Sequence, residues 1–211
     1  GHSNTAVGSR ALDSNTTAND NTAVGYQSLS NNTTGSSNSV LGAYALDGNT
    51  TGVNNVAMGR AALGANTTAN NNTGIGYNAL TSNTTGSENT AIGGNAADAN
   101  TTGTNNTAFG YAALGENTTA NNNTAIGRSA LNESTTASNN TAVGESALRY
   151  TTTGSANTAI GEGAMLDNTT GEDNTAVGAS ALDNLQDGDN NTAVGVHALG
   201  ISGSGSSNTG I

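Results

Sequence analysis

Apolar residues recur along this chain in a fixed couplet. One apolar residue stands immediately before a glycine and a leucine, replaced only by Ala97 and Met165, follows four residues after it, with polar Asn, Thr and Ser filling the space between couplets. The glycine recurs at Gly8, Gly25, Gly42, Gly59, Gly76, Gly93, Gly110, Gly127, Gly144, Gly161, Gly178 and Gly195, always 17 residues apart. The consensus is NTAVGxxALxxNTTGxx, without insertion or deletion. Seventeen residues with a fixed glycine and Asn-Thr-rich turns cannot hold two useful helices, whereas short NTAVG and AL segments suit two short strands. Each repeat is therefore expected to be one coil of a β-solenoid.

The predicted fold class is all-β: a parallel β-roll of about twelve 17-residue coils, with residues 1–211 forming one repeat array that is a fragment of a longer fibre. Coils stacked at about 4.8 Å give a rod of about 58 Å. Two core side chains per coil are expected, the aliphatic residue before the glycine and the leucine after it, and stacked rows of them would make a thin continuous core. The invariant glycine suits a corner at positive φ.

Asparagine precedes the glycine by four residues in every copy. Asn21, Asn38, Asn55, Asn72, Asn89, Asn106, Asn123, Asn140, Asn157, Asn174 and Asn191 are thus expected to form a ladder, each amide bonding to the next coil. If Val7 and its equivalents face inward, strand alternation turns the preceding residue outward. That residue is alanine at Ala23, Ala57, Ala91, Ala108, Ala125, Ala142, Ala159, Ala176 and Ala193. A second row, including Ala45 and Ala62, precedes the leucines. A long exposed row of small apolar residues predicts a subunit interface, with a parallel homotrimer as the expected assembly. The alternative is a tube too narrow for anything larger than alanine at these places.

Composition sharpens this picture. Only 33% of residues are hydrophobic and 3% aromatic, too little for a conventional globular core, and the repeat is what lets such a chain fold. The net charge of −11, with four Lys and Arg in total, argues against nucleic acid as partner. With no cysteine there are no disulfides or thiolate metal sites, and no apolar run approaches the length of a membrane span.

The NTAVG and NTAIG blocks followed by xxAL, as in Asn72 to Leu80 and Asn106 to Leu114, resemble the repeats of phage tail-fibre proteins and bacterial tail-fibre-domain proteins. They are also similar to the heads of YadA-like trimeric autotransporter adhesins, although those repeats are usually shorter. The resemblance covers nearly the whole chain. It implies a trimeric, extracellular fibre on a virion or cell surface, used for attachment to a surface glycan or other receptor.

Candidate chemistry is sparse. The threonine pairs, from Thr16 and Thr17 to Thr169 and Thr170, place Asn15 and Thr17 on one side of the coil, a two-rank polar array resembling those of ice-binding solenoids. The stacked carboxylates Glu116 and Glu133, and Glu145 and Glu162, have a separation that suits glycosidases, but they fall at solvated turns with no cleft. Glu172, Asp173, Asp187 and Asp189 make the later coils acidic without any calcium-loop spacing. Tyr26, Tyr77 and Tyr111 follow the repeat glycine and are candidates for stacking on sugar rings. The expected function is a structural or adhesive fibre segment, not an enzyme and without cofactor. The alternatives are an ice-binding solenoid using the Asn and Thr ladders and, third, a carbohydrate-active β-helix enzyme.

Overall fold

The computed structural model describes residues 1–200 and 203–211. Among these, thirteen short strands run from β1 (Thr5–Val7) to β13 (Thr209–Gly210) and form one parallel sheet in strict chain order. Each strand pairs with the one 17 residues on, so Thr5 lies beside Thr22, Ala6 beside Ala23 and Val7 beside Val24. No helix among the described residues is long and apolar enough to cross a membrane. The chain is a β-solenoid of about twelve turns.

Each coil carries one strand, not the two that the NTAVG and AL segments suggested. After the strand the chain turns at the repeat glycine, whose φ lies between 125° and 149° throughout the array. A Cβ at Gly110 would also overlap the carbonyl oxygen of Gly127 in the next coil, so conformation and stacking both require glycine there. The AL segment is then wound tightly. In one coil Ser28 N–H donates to Gly25 O at 3.4 Å and Asn32 N–H to Leu29 O at 3.4 Å, while Gln27 and Leu29 both hold positive φ, at 54° and 51°.

That geometry removes strand alternation from the AL segment, and adjacent residues face inward together. Ala45 and Leu46 are both fully buried, as are Ala62 and Leu63. Although these segments are not strands, their backbone still bonds between coils: Leu29 N–H donates to Ala45 O at 3.0 Å, and Thr33 N–H to Thr50 O at 2.9 Å.

The orientation expected for the strand is reversed. Ala23, Ala57, Ala91, Ala108, Ala125, Ala142, Ala159, Ala176 and Ala193 are buried in the core of the single chain, and the aliphatic residues beside them face out. The buried asparagine that opens each strand sets this phase. Asn21 and Ala23 have the same parity and point inward together, so Thr22 and Val24 point outward. The tube interior, already filled by the leucine row and two rows of amides, leaves room only for small residues, which is the narrow-tube alternative. The alanines therefore form no subunit interface.

This assignment makes opposite demands on neighbouring residues. Ala125→Leu, which forces three extra carbons into a closed interior, is expected to destabilise by about 1–3 kcal/mol. The adjacent exposed change Ile126→Ala is expected to alter stability by no more than about 0.5 kcal/mol. Chemical denaturation of the two variants checks the order.

Candidate functional site

The asparagines of the strand row are all buried, from Asn21 to Asn191. Asn106 is one example from the row. Its Nδ2 donates to Ala120 O, 14 residues ahead, at 2.8 Å, and to Asn89 Oδ1 of the preceding coil at 3.2 Å. Its Oδ1 accepts the backbone N–H of Asn123 in the following coil at 3.0 Å. One side chain thus closes its own coil and fastens it to both neighbours.

A second interior row of amides lies in the NTT segment, where the sequence suggested a surface array. Asn32, Asn49, Asn66, Asn83, Asn100, Asn117 and Asn168 are buried. Asn49 Nδ2 donates to Gly52 O at 3.0 Å and to Asn32 Oδ1 of the preceding coil at 2.9 Å. The carbonyl of Gly52 also accepts from Asn38 Nδ2 at 3.0 Å. Two amides of one coil thus converge on a single carbonyl oxygen and use both of its lone pairs. The same convergence recurs at Gly35, Ala69, Gly86, Gly103, Ala120 and Gly171.

The sequence did carry a sign that this row faces inward. Its equivalent in a later coil is Leu185, a fully buried leucine in a place that a solvated turn would not give it. The row is also interrupted at Ser134 and Thr151, whose hydroxyls are too short to reach across a coil. Asn117 Oδ1, Ser134 Oγ, Thr151 Oγ1 and Asn168 Oδ1 are buried without a hydrogen-bond partner.

The threonine pairs divide into two different roles. The first of each pair is tied down: from Thr16 to Thr169, every hydroxyl donates to a backbone carbonyl one coil on, as Thr101 does to Thr118 O at 2.9 Å. The second, such as Thr119, is exposed. With the NTT asparagines inside, the two-rank Asn15 and Thr17 surface array does not form.

The strand face is different. Its two outward ranks are Thr22, Thr73, Thr90 and their equivalents, and the aliphatic residues two positions on. No hydrogen bond from the side chain of a strand threonine is found among the described residues. The second rank includes Val7, Leu41, Phe109, Ile126, Ile160 and Val194, all substantially exposed, with Phe109 at 54%. Neither rank contains a charged residue in any of the thirteen strands.

Beside this face runs an edge of mixed chemistry. The Tyr26 and Tyr44 rings meet edge to face at 5.3 Å, and the Arg60 guanidinium lies 5.9 Å from both the Tyr44 and Tyr77 rings. Tyr111 lies alongside Gly94. Arg128 pairs with Glu145 at 3.0 Å on the exposed surface.

The carboxylates occupy open ground. Glu116 lines a shallow depression of about 390 Å³ with Asp98, Thr81 and Asn132. Partial burial raises the Asp98 carboxyl above its ordinary range, opposed by its backbone hydrogen bond, and the nearby Glu116 charge pushes it the same way as burial. Asp189 accepts the backbone N–H of Glu172 at 2.8 Å, which makes it a rung between coils. No group of three or more His, Cys, Asp or Glu placed to hold a metal is found among the described residues.

No family model, curated protein or solved structure matches the chain. The functional reading therefore rests on the surfaces just described.

Asn106→Ala is expected to destabilise by about 3 kcal/mol, because it leaves the Asn123 N–H and part of the Ala120 carbonyl unsatisfied inside the tube. Denaturant unfolding measures it. Conversely, Ser134→Asn with Thr151→Asn restores the missing rungs and is expected to stabilise by about 1 kcal/mol, seen as a rise in the denaturation midpoint.

Proposed function

We propose that this chain is a structural, attachment-mediating fibre segment, a rigid rod that works outside the cell and holds a surface with its strand face. The observation that carries the reading is the pair of uncharged ranks, half-buried to exposed, that runs along one side of the solenoid. A rod stiffened by inter-coil bonds on every side is suited to presenting a long regular surface at a distance. The resemblance of its NTAIG and NTTG blocks to tail-fibre repeats points the same way.

Two observations disfavour the enzymatic alternative. The 17-residue period admits no inserted loop that could wall in a substrate, and Glu116 and Asp98 stand in a shallow depression with no general acid and base enclosed together. The homotrimer loses its original argument with the alanine rows buried. On the strand face, a strip of about 58 Å by about 10 Å, self-association would bury about 600 Å² per partner, at the small end of stable protein interfaces.

The test is retention of the full chain on a panel of surfaces comprising a glycan array, cellulose and chitin particles, intact bacterial cells and ice. Retention on at least one of them is expected, with its loss in the strand-face variant Thr124→Lys/Ile126→Lys. Retention on none, or retention that the variant leaves intact, would overturn the attachment reading.

A further inference from the structure

The strand face has a property that narrows its ligand. Parallel pairing in register fixes one repeat at about 4.8 Å along the rod, and residues two apart on a strand fix a second at about 6.7 Å across it. The outward side chains thus form a regular two-dimensional lattice. Threonine occupies one rank without interruption from Thr73 through Thr90, Thr107, Thr124 and so on to Thr209, opposite a rank of Ile and Val broken by Phe109. A ligand able to engage every coil must itself repeat at both spacings.

Three features narrow the candidates. The face carries no charge in a chain of net charge −11, so it selects an uncharged ligand. Its strip of about 58 Å by about 10 Å sits at the small end of what a stable protein partner uses. Its one aromatic, Phe109, gives a sugar ring little to stack on, since the tyrosines stand on the neighbouring edge.

The hydroxyls complete the case by contrast with the other threonine row. Those from Thr16 to Thr169 are all spent on backbone carbonyls, while the strand threonines, half-buried to exposed on the outer side of the sheet, make no side-chain hydrogen bond among the described residues. Each presents a hydroxyl that can hold a water and a methyl that confines it, beside the methyl groups of Ile or Val. Waters held in such a lattice are themselves in a repeating array.

We infer that the strand face binds ice: the threonine hydroxyls and the flanking methyl groups order a layer of water whose spacing continues into the oxygen rows of the crystal. This rests on the attachment reading of the same face and names its ligand. It also moves ice binding from the NTT segment, where the sequence placed it, to the strand.

Thermal hysteresis and ice-crystal shaping of the full chain test it, with Thr124→Lys at the centre of the strand face and Thr119→Lys as a control on the NTT side. Circular dichroism melting establishes that both variants fold. The expected result is hysteresis in the parent chain, lost in Thr124→Lys and kept in Thr119→Lys. Absence of hysteresis in the parent chain, loss in Thr119→Lys with retention in Thr124→Lys, or sedimentation showing a second copy seated on the strand face would each overturn the inference. If hysteresis is absent but retention on glycans, particles or cells is still abolished by Thr124→Lys/Ile126→Lys, the ice assignment fails while attachment stands. If both are absent, both fail.

Discussion

Everything in this fold depends on burying a primary amide where a small tube can give both its ends a partner, as the strand row does throughout. An unpaired amide in an apolar interior is costly, and a chain with so few large hydrophobic residues could not tolerate many. Here the asparagine spacing equals the coil length, so each Oδ1 meets a backbone N–H one coil on and each Nδ2 meets a carbonyl that closes its own coil, as at Asn106. The amides thereby replace much of the work that a thick hydrophobic core does elsewhere. The alanines follow from this, because two amides and a leucine per coil leave space for little else.

The fold was legible because its signal is a period, and a period survives without large side chains. The strict 17-residue glycine spacing gave the coil, the parallel register and the strand-row amide positions directly. The facing of the strand was not read correctly, and the reason is specific. Placing the aliphatic residue inside is sound for an ordinary strand, but here Asn21 shares its parity with Ala23, and the buried amide outranks the half-buried Val24. The AL segment looks like a strand by composition, yet positive φ at Gln27 and Leu29 cancels alternation, and no local preference of glutamine or leucine announces that conformation.

The candidate surface was half legible. Threonine carries the surface role, but its pairs in the NTT segment are a stronger pattern in the sequence than the single threonine of each strand. Burial of Asn32 and its equivalents, and the carbonyl bonds of the first threonine in each pair, become visible only when coils are stacked. Leu185 was the one residue in the sequence that contradicted an exposed NTT asparagine row.

The leucines held at positive φ have a consequence for how the molecule is made. A residue such as Leu114, at 54°, sits in a conformation disfavoured by about 1–2 kcal/mol, and a lone coil has nothing with which to hold it there. Only a finished neighbour, offering its carbonyls and amides at the right height, makes that conformation the favourable one. Assembly should consequently be a zippering process, with a slow first step that brings two adjacent coils together and rapid templated addition afterwards, each completed turn serving as the mould for the next.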